Sequence, residues 1–198
     1  MLFSSRDVCE SERRNRPTQT AAVKSRHTVR NTVLTRNISA VMADVPARGE
    51  AVHFIAHGNV NAFTFVLYLV EFCSPVRALA CAVYRISNGT LVDLLALLDS
   101  GKIGGITLAI NDNVQRLKPD TFADLNAASA ARESFRVGYV DNHAKIIAAD
   151  TGRGCFVIEG SGNWSDNARI EQYVFCQSPE VYQFHSEWIK RSVGNRWT

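Results

Sequence analysis

The run "DNHAKIIAAD", residues 141–150, sets His143 and Lys145 two positions apart, just ahead of the apolar pair Ile146 and Ile147. A β-strand alternates faces with period two, so the two side chains are expected to point the same way. Asp150 lies an odd number of residues from His143, at or past the strand end, and need not share that face. In "EGSGNW", Ser161 and Asn163 are again two apart. Gly160 and Gly162 remove bulk beside them, so a ligand or a backbone can come close. Glu171 opens the next strand candidate. Near neutral pH a histidine is a nucleophile or a general acid. A lysine ammonium and an asparagine amide donate to an anionic oxygen. A glutamate holds an imidazole in one tautomer and stabilises its charged form. Together these parts can attack a phosphodiester without a metal. Singly they are bland: a lone strand histidine is more often a surface or satisfied core residue, and GSGN is more often a turn. The ordered combination carries the chemistry.

The elements that must hold these residues alternate from about residue 50. "AVHFIA" reads as a strand, "NAFTFVLYLVEFC" as a helix apolar nearly all round, and "ALACAVYRI" as a second strand. "NGT" reads as a turn with Thr90 as N-cap. Leu91, Leu94, Leu95 and Leu98 then form the stripe of an amphipathic helix. "GGITLAI" is a third strand, followed by a helix over "PDTFADLNAASAARE". This alternation implies βαβ crossovers and a parallel sheet. "SFRVGYV", "HAKIIAA", "CFVIEGSGN" and "EQYVFC" then follow too closely for helical connections, so antiparallel pairing is expected among them. A closing helix is capped by Ser178 with Pro179 in its first position, and Val181, Phe184 and Trp188 form its expected buried stripe. The expected fold is a mixed α/β sheet with helices on both faces.

Composition is that of an ordinary globular chain of 198 residues, 46% hydrophobic and 21% charged, with a net charge of +3. The basic excess sits in residues 1–40, which hold Arg6, Arg13, Arg14, Arg16, Lys24, Arg26, Arg30 and Arg36 against Asp7, Glu10 and Glu12. Residues 1–48 read as a poorly ordered leader and 49–198 as the folded domain. The leader is either a solvated tail or a basic arm for phosphates. Its acids weigh against a transit peptide. The five cysteines, Cys9, Cys73, Cys81, Cys155 and Cys176, form no CxxC pair. The last four sit in apolar surroundings, as expected of small core residues in a reducing, cytoplasmic setting. The longest apolar stretch, "AFTFVLYLV", is too short to span a bilayer.

His143, Lys145 and Asp150 match HxKx4D, and Gly160, Ser161 and Asn163 match the GSxN that follows it in the phospholipase D superfamily. "NARIEQYVF", with Glu171, is similar to the segment after that motif, and the order of elements from about 50 to 190 resembles the family's α/β fold. The resemblance implies that His143 attacks phosphorus, Lys145 and Asn163 bind the non-bridging oxygens, Ser161 supports the pocket and Glu171 orients His143. It implies a structural role for Asp150 and no metal or other cofactor. Only one motif is present, because "HFIAHGN" offers His53 and His57 without a lysine two positions on. Small single-motif members of the family are homodimers that share one site, which implies a second copy of the chain as partner. Nucleic acid is the expected substrate. A phospholipase or phosphatidyl transferase and an idle binding module of the same fold are the alternatives. No basic amphipathic segment supports the lipid reading.

Overall fold

The computed structural model describes residues 26–31, 38–57, 61–165 and 169–194. Strands β1 (Arg26–Asn31) and β2 (Glu50–His57) precede helix α1 (Thr64–Cys73), β3 (Val76–Val83), α2 (Asn88–Asp99) and β4 (Ile106–Asn111). The one-turn α3 (Val114–Leu117) leads into α4 (Pro119–Ala131) and β5 (Phe135–Val140). Three strands, β6 (Ile146–Thr151), β7 (Gly154–Gly160) and β8 (Ile170–Gln177), run on into α5 (Pro179–Gly194). Among the described residues these strands make one mixed sheet of eight, in the order β1-β2-β8-β7-β6-β3-β4-β5.

The sheet buries different residues on its two faces because its strands alternate. Leu79, Cys81, Val83, Ile147, Phe156, Ile158, Tyr173 and Phe175 enter the main core with the apolar sides of α1 and α2. Ala80, Ala82, Ala109 and Ala148 form a shallow floor on the opposite face, where Ile189 of α5 settles. Small residues there let the helix backbone approach the sheet. Leu94 of α2 is fully buried, and burying such a side chain contributes about 1.5–3 kcal/mol.

Several expectations are corrected. The first of the four closely spaced strands, β5, pairs parallel with β4 at the sheet edge and not antiparallel with β6, because α4 carries the chain back before β5 begins. Only β6, β7 and β8 follow one another antiparallel. Helix α2 starts earlier than "NGT" suggested: Ser87 is its N-cap, accepting from the Thr90 N–H at 3.1 Å, and Asn88 and Gly89 are helical. Ser178 does accept from the Val181 N–H, but α5 turns His185, Ser186 and Ile189 inward and leaves Phe184 65% exposed. The helix must also bury His185, whose Nδ1 accepts from Trp188 Nε1 at 3.0 Å while Nε2 meets Glu159 at 2.6 Å. This pairing rotates Phe184 to solvent. Ahead of residue 49, β1 pairs parallel with β2, and Ile38 and Met42 are buried in the main core. The packed unit therefore reaches into the stretch read as leader, most of which, with Cys9, lies outside the described residues.

Candidate active site at one end of the sheet

The mixed topology gathers the chemistry-bearing segments at one end of the sheet. The carboxyl ends of β2, β3 and β4 lie there with the amino ends of β6 and β8 and the carboxyl end of β7. Crevices outside the carboxyl ends of parallel strands are where ligands of open α/β sheets bind.

His143 and Lys145 stand just before β6 and not inside it. The ladder continues by one rung, through the Gly160 N–H to the Lys145 carbonyl at 3.2 Å, and then ends. Strand alternation is therefore not what joins the pair. Lys145 folds back, its Nζ donating to the His143 carbonyl oxygen at 2.6 Å and lying 2.9 Å from His143 Nδ1. The turn before them is tied down by Asn142, whose side chain accepts from the Ala144 N–H, and by Asn111, whose Nδ2 donates to the Asn142 carbonyl at 2.8 Å. The His143 ring is exposed and sits 4.8 Å from the ring of Tyr84. Lys145 Nζ lies 5.5 Å from that same ring, and the Arg85 guanidinium 5.3 Å from it. Two cations and an imidazole thus gather around one aromatic ring, the cations at cation–π distance. Burial pushes the Lys145 pKa down, and the Glu171 carboxylate opposes that shift.

The second group is built on β7 and β8. Ser161 donates its hydroxyl to Glu171 Oε2, and its Oγ accepts from the Gln172 N–H at 3.0 Å. Glu171 is only 7% exposed. Asn163 Oδ1 accepts from the Arg85 N–H at 3.2 Å, which leaves its Nδ2 as the donor end of the amide. The next residue locks the same junction, since the Trp164 N–H donates to the Arg85 carbonyl and the Ser87 N–H to the Trp164 carbonyl. Gly160 and Gly162 serve a packing role here: a Cβ on either would collide with the buried ring of Tyr173. The close neighbour that these glycines admit is therefore that ring.

Of the residues expected from sequence, His143, Lys145, Gly160, Ser161, Asn163 and Glu171 come to this end. Asp150 does not. It lies near the far end of β6 and pairs with Arg77, whose Nε donates to it at 3.1 Å. His53 pairs with Val174 in mid-strand, and His57 ends β2 opposite Ile170. Tyr84 and Arg85 were not anticipated as site residues. An aromatic and a base closing the apolar run "ALACAV" were the available signal. Among the described residues no group of three His, Cys, Asp or Glu side chains could hold a metal ion, and no helix is long and apolar enough to cross a membrane.

No protein-family model matches the chain, and a search of curated proteins finds no match. Among solved structures the chain is similar to NucT from Helicobacter pylori, with 16% identity and a TM-score of 0.49 over 65% of this chain and 87% of that one.

Proposed function

We propose that this protein is a metal-independent phosphodiesterase of the phospholipase D kind, which cleaves nucleic acid through a phosphohistidine on His143 in a site shared by two copies of the chain. The observation that carries this reading is the junction at Tyr84 and Arg85. The Tyr84 ring holds His143 and Lys145, and the next backbone N–H holds Asn163. Two sequence segments that each lack meaning alone thus meet around one electropositive spot.

The steps follow from the donors present. With Lys145 charged, His143 Nδ1 is the acceptor, so the proton of a neutral ring sits on Nε2. A bound phosphate draws Lys145 and the amide Nδ2 of Asn163 onto its non-bridging oxygens. The ring proton then moves to Nδ1, where Glu171 receives it in a hydrogen bond. Nε2 attacks phosphorus, an N–P bond forms, and the P–O bond to the leaving group breaks. The leaving oxygen keeps the electron pair and takes a proton from the imidazolium of the second copy's His143. That imidazole next removes a proton from water, whose oxygen attacks phosphorus and returns the N–P pair to Nε2. Glu171, held by Ser161, stabilises the charged ring between the two steps. Cys73, Cys81, Cys155 and Cys176 are free thiols, which suits a reducing, cytoplasmic setting.

The test is trapping of the covalent intermediate under alkaline quench. A radiolabelled oligonucleotide incubated in excess EDTA should be cleaved, and rapid quenching should leave label on a base-stable, acid-labile phosphohistidine. His143→Ala should abolish both signals. Activity lost in EDTA and restored by a divalent cation, or kept in the His143→Ala chain, rejects the reading.

A further inference from the structure

Beside the site lies an open cleft of about 470 Å³ that the mechanism does not use. Its volume falls within the range of about 300–1,000 Å³ common for small-molecule pockets. Two features join it to His143. Tyr84 lines the cleft and its ring lies 4.8 Å from the His143 ring, tilted against it, and Asn111 lines it while holding the carbonyl just before His143. The interior is apolar, formed by the buried Ile86 and Val114 and by Leu117, which is 45% exposed although large and hydrophobic. The rim is cationic: Arg85 and Lys118 are both exposed, and no carboxylate is among the lining residues described. A mainly apolar cleft with two cations among its lining residues, next to the electropositive spot at His143, matches a base carried between phosphates.

We propose that this cleft is a nucleobase subsite, taking one unpaired base adjacent to the scissile phosphate. The base lies on Ile86, Val114 and Leu117, with Arg85 and Lys118 pairing with the phosphates that flank it. A base reaches such a side cleft only when it is out of a duplex stack, so the subsite selects single-stranded or locally opened nucleic acid. This inference rests on the phosphodiesterase reading for the position of the scissile phosphate.

Fluorescence anisotropy tests it in excess EDTA with the full chain. The probes are a labelled single-stranded oligonucleotide, the same strand with consecutive abasic sites at its centre, the matching duplex, and phosphatidylcholine vesicles as competitor. The intact single strand should bind best, and the abasic strand should lose roughly five-fold or more, the scale of one stacked base. Leu117→Glu, an exposed position that leaves the core untouched, should weaken the intact strand comparably and make it insensitive to abasic substitution. Lys118→Ala should reduce the slope of log affinity against log salt by about one contact. Equal binding of intact and abasic strands, tighter binding of the duplex, or displacement by the vesicles overturns the subsite. Hydrolysis of methyl p-nitrophenyl phosphate, which carries no base, separates the two readings. If wild type cleaves neither that diester nor the oligonucleotide, the phosphodiesterase assignment fails, and the anisotropy still decides the cleft.

Discussion

Adding one methyl group at Gly162 or Gly160 should damage the protein in two distinguishable ways. A Cβ on Gly162 would stand 2.8 Å from Tyr173 Cζ, with the phenolic oxygen nearer still. Tyr173 is 1% exposed, and its ring lies 5.0 Å from that of Phe65, so it cannot swing away cheaply. Overpacking of a close-packed site costs about 1–3 kcal/mol. For a chain of this size that lowers Tm by roughly 2–12 °C. At Gly160 the same methyl would also meet the Gln172 carbonyl oxygen at 2.5 Å. That oxygen accepts from the Ser161 N–H at 3.0 Å, so displacing it loosens the residue that holds Glu171. Gly160→Ala should therefore lower phosphodiesterase kcat as well as Tm. Tyr173→Phe provides the control. Removing the phenolic oxygen should recover part of the Gly162→Ala loss and none of the Gly160→Ala loss, whose contacts are the ring edge and a backbone carbonyl. Thermal unfolding of the three single and two double variants, read as two double-mutant cycles, gives a coupling only for the 162–173 pair. Equal coupling for both pairs, or Gly162→Ala as stable as wild type, would refute the packing argument.

Other outcomes follow from the same geometry. Burial disfavours the Lys145 ammonium, so its proton leaves at a lower pH than that of a solvated lysine, and the alkaline limb of the pH–rate profile should fall early. Glu171→Gln removes an opposing charge and should move that limb further down; an upward move contradicts the assignment. Mixing His143→Ala chains with wild type under verified subunit exchange should depress activity below simple dilution, because each mixed pair lacks its nucleophile or its acid. Activity linear in the wild-type fraction argues for a self-sufficient single chain. Asp150→Asn should lower the unfolding midpoint slightly and leave kcat/KM alone, since its partner Arg77 is remote from the end that carries His143; a kcat/KM loss without a change in Tm would place Asp150 in the chemistry.

Local information in the chain was enough for much of this. Short apolar runs marked most strands, the Leu91 to Leu98 stripe marked α2, and Pro179 after Ser178 marked the start of α5, because these signals depend on neighbours a few residues apart. The residue types at 143, 145, 161, 163 and 171 were likewise legible, and the structure brings those five to one end of the sheet. Partner choice was not legible. Nothing local tells β5 to pair with β4 and β6 to turn back on β3, or residues 26–31 to add a strand beside β2. Those pairings are settled by which apolar faces can be buried together. The side-chain contacts within the site were equally hidden. Lys145 reaches His143 by folding back beyond the end of the ladder, and Tyr84 and Arg85, far upstream in the chain, bridge the two motif segments only once β3 lies beside β6. Sequence spacing supplied the chemical types. The sheet order decided which of them touch, because contacts between distant segments exist only after the core that brings them together has formed.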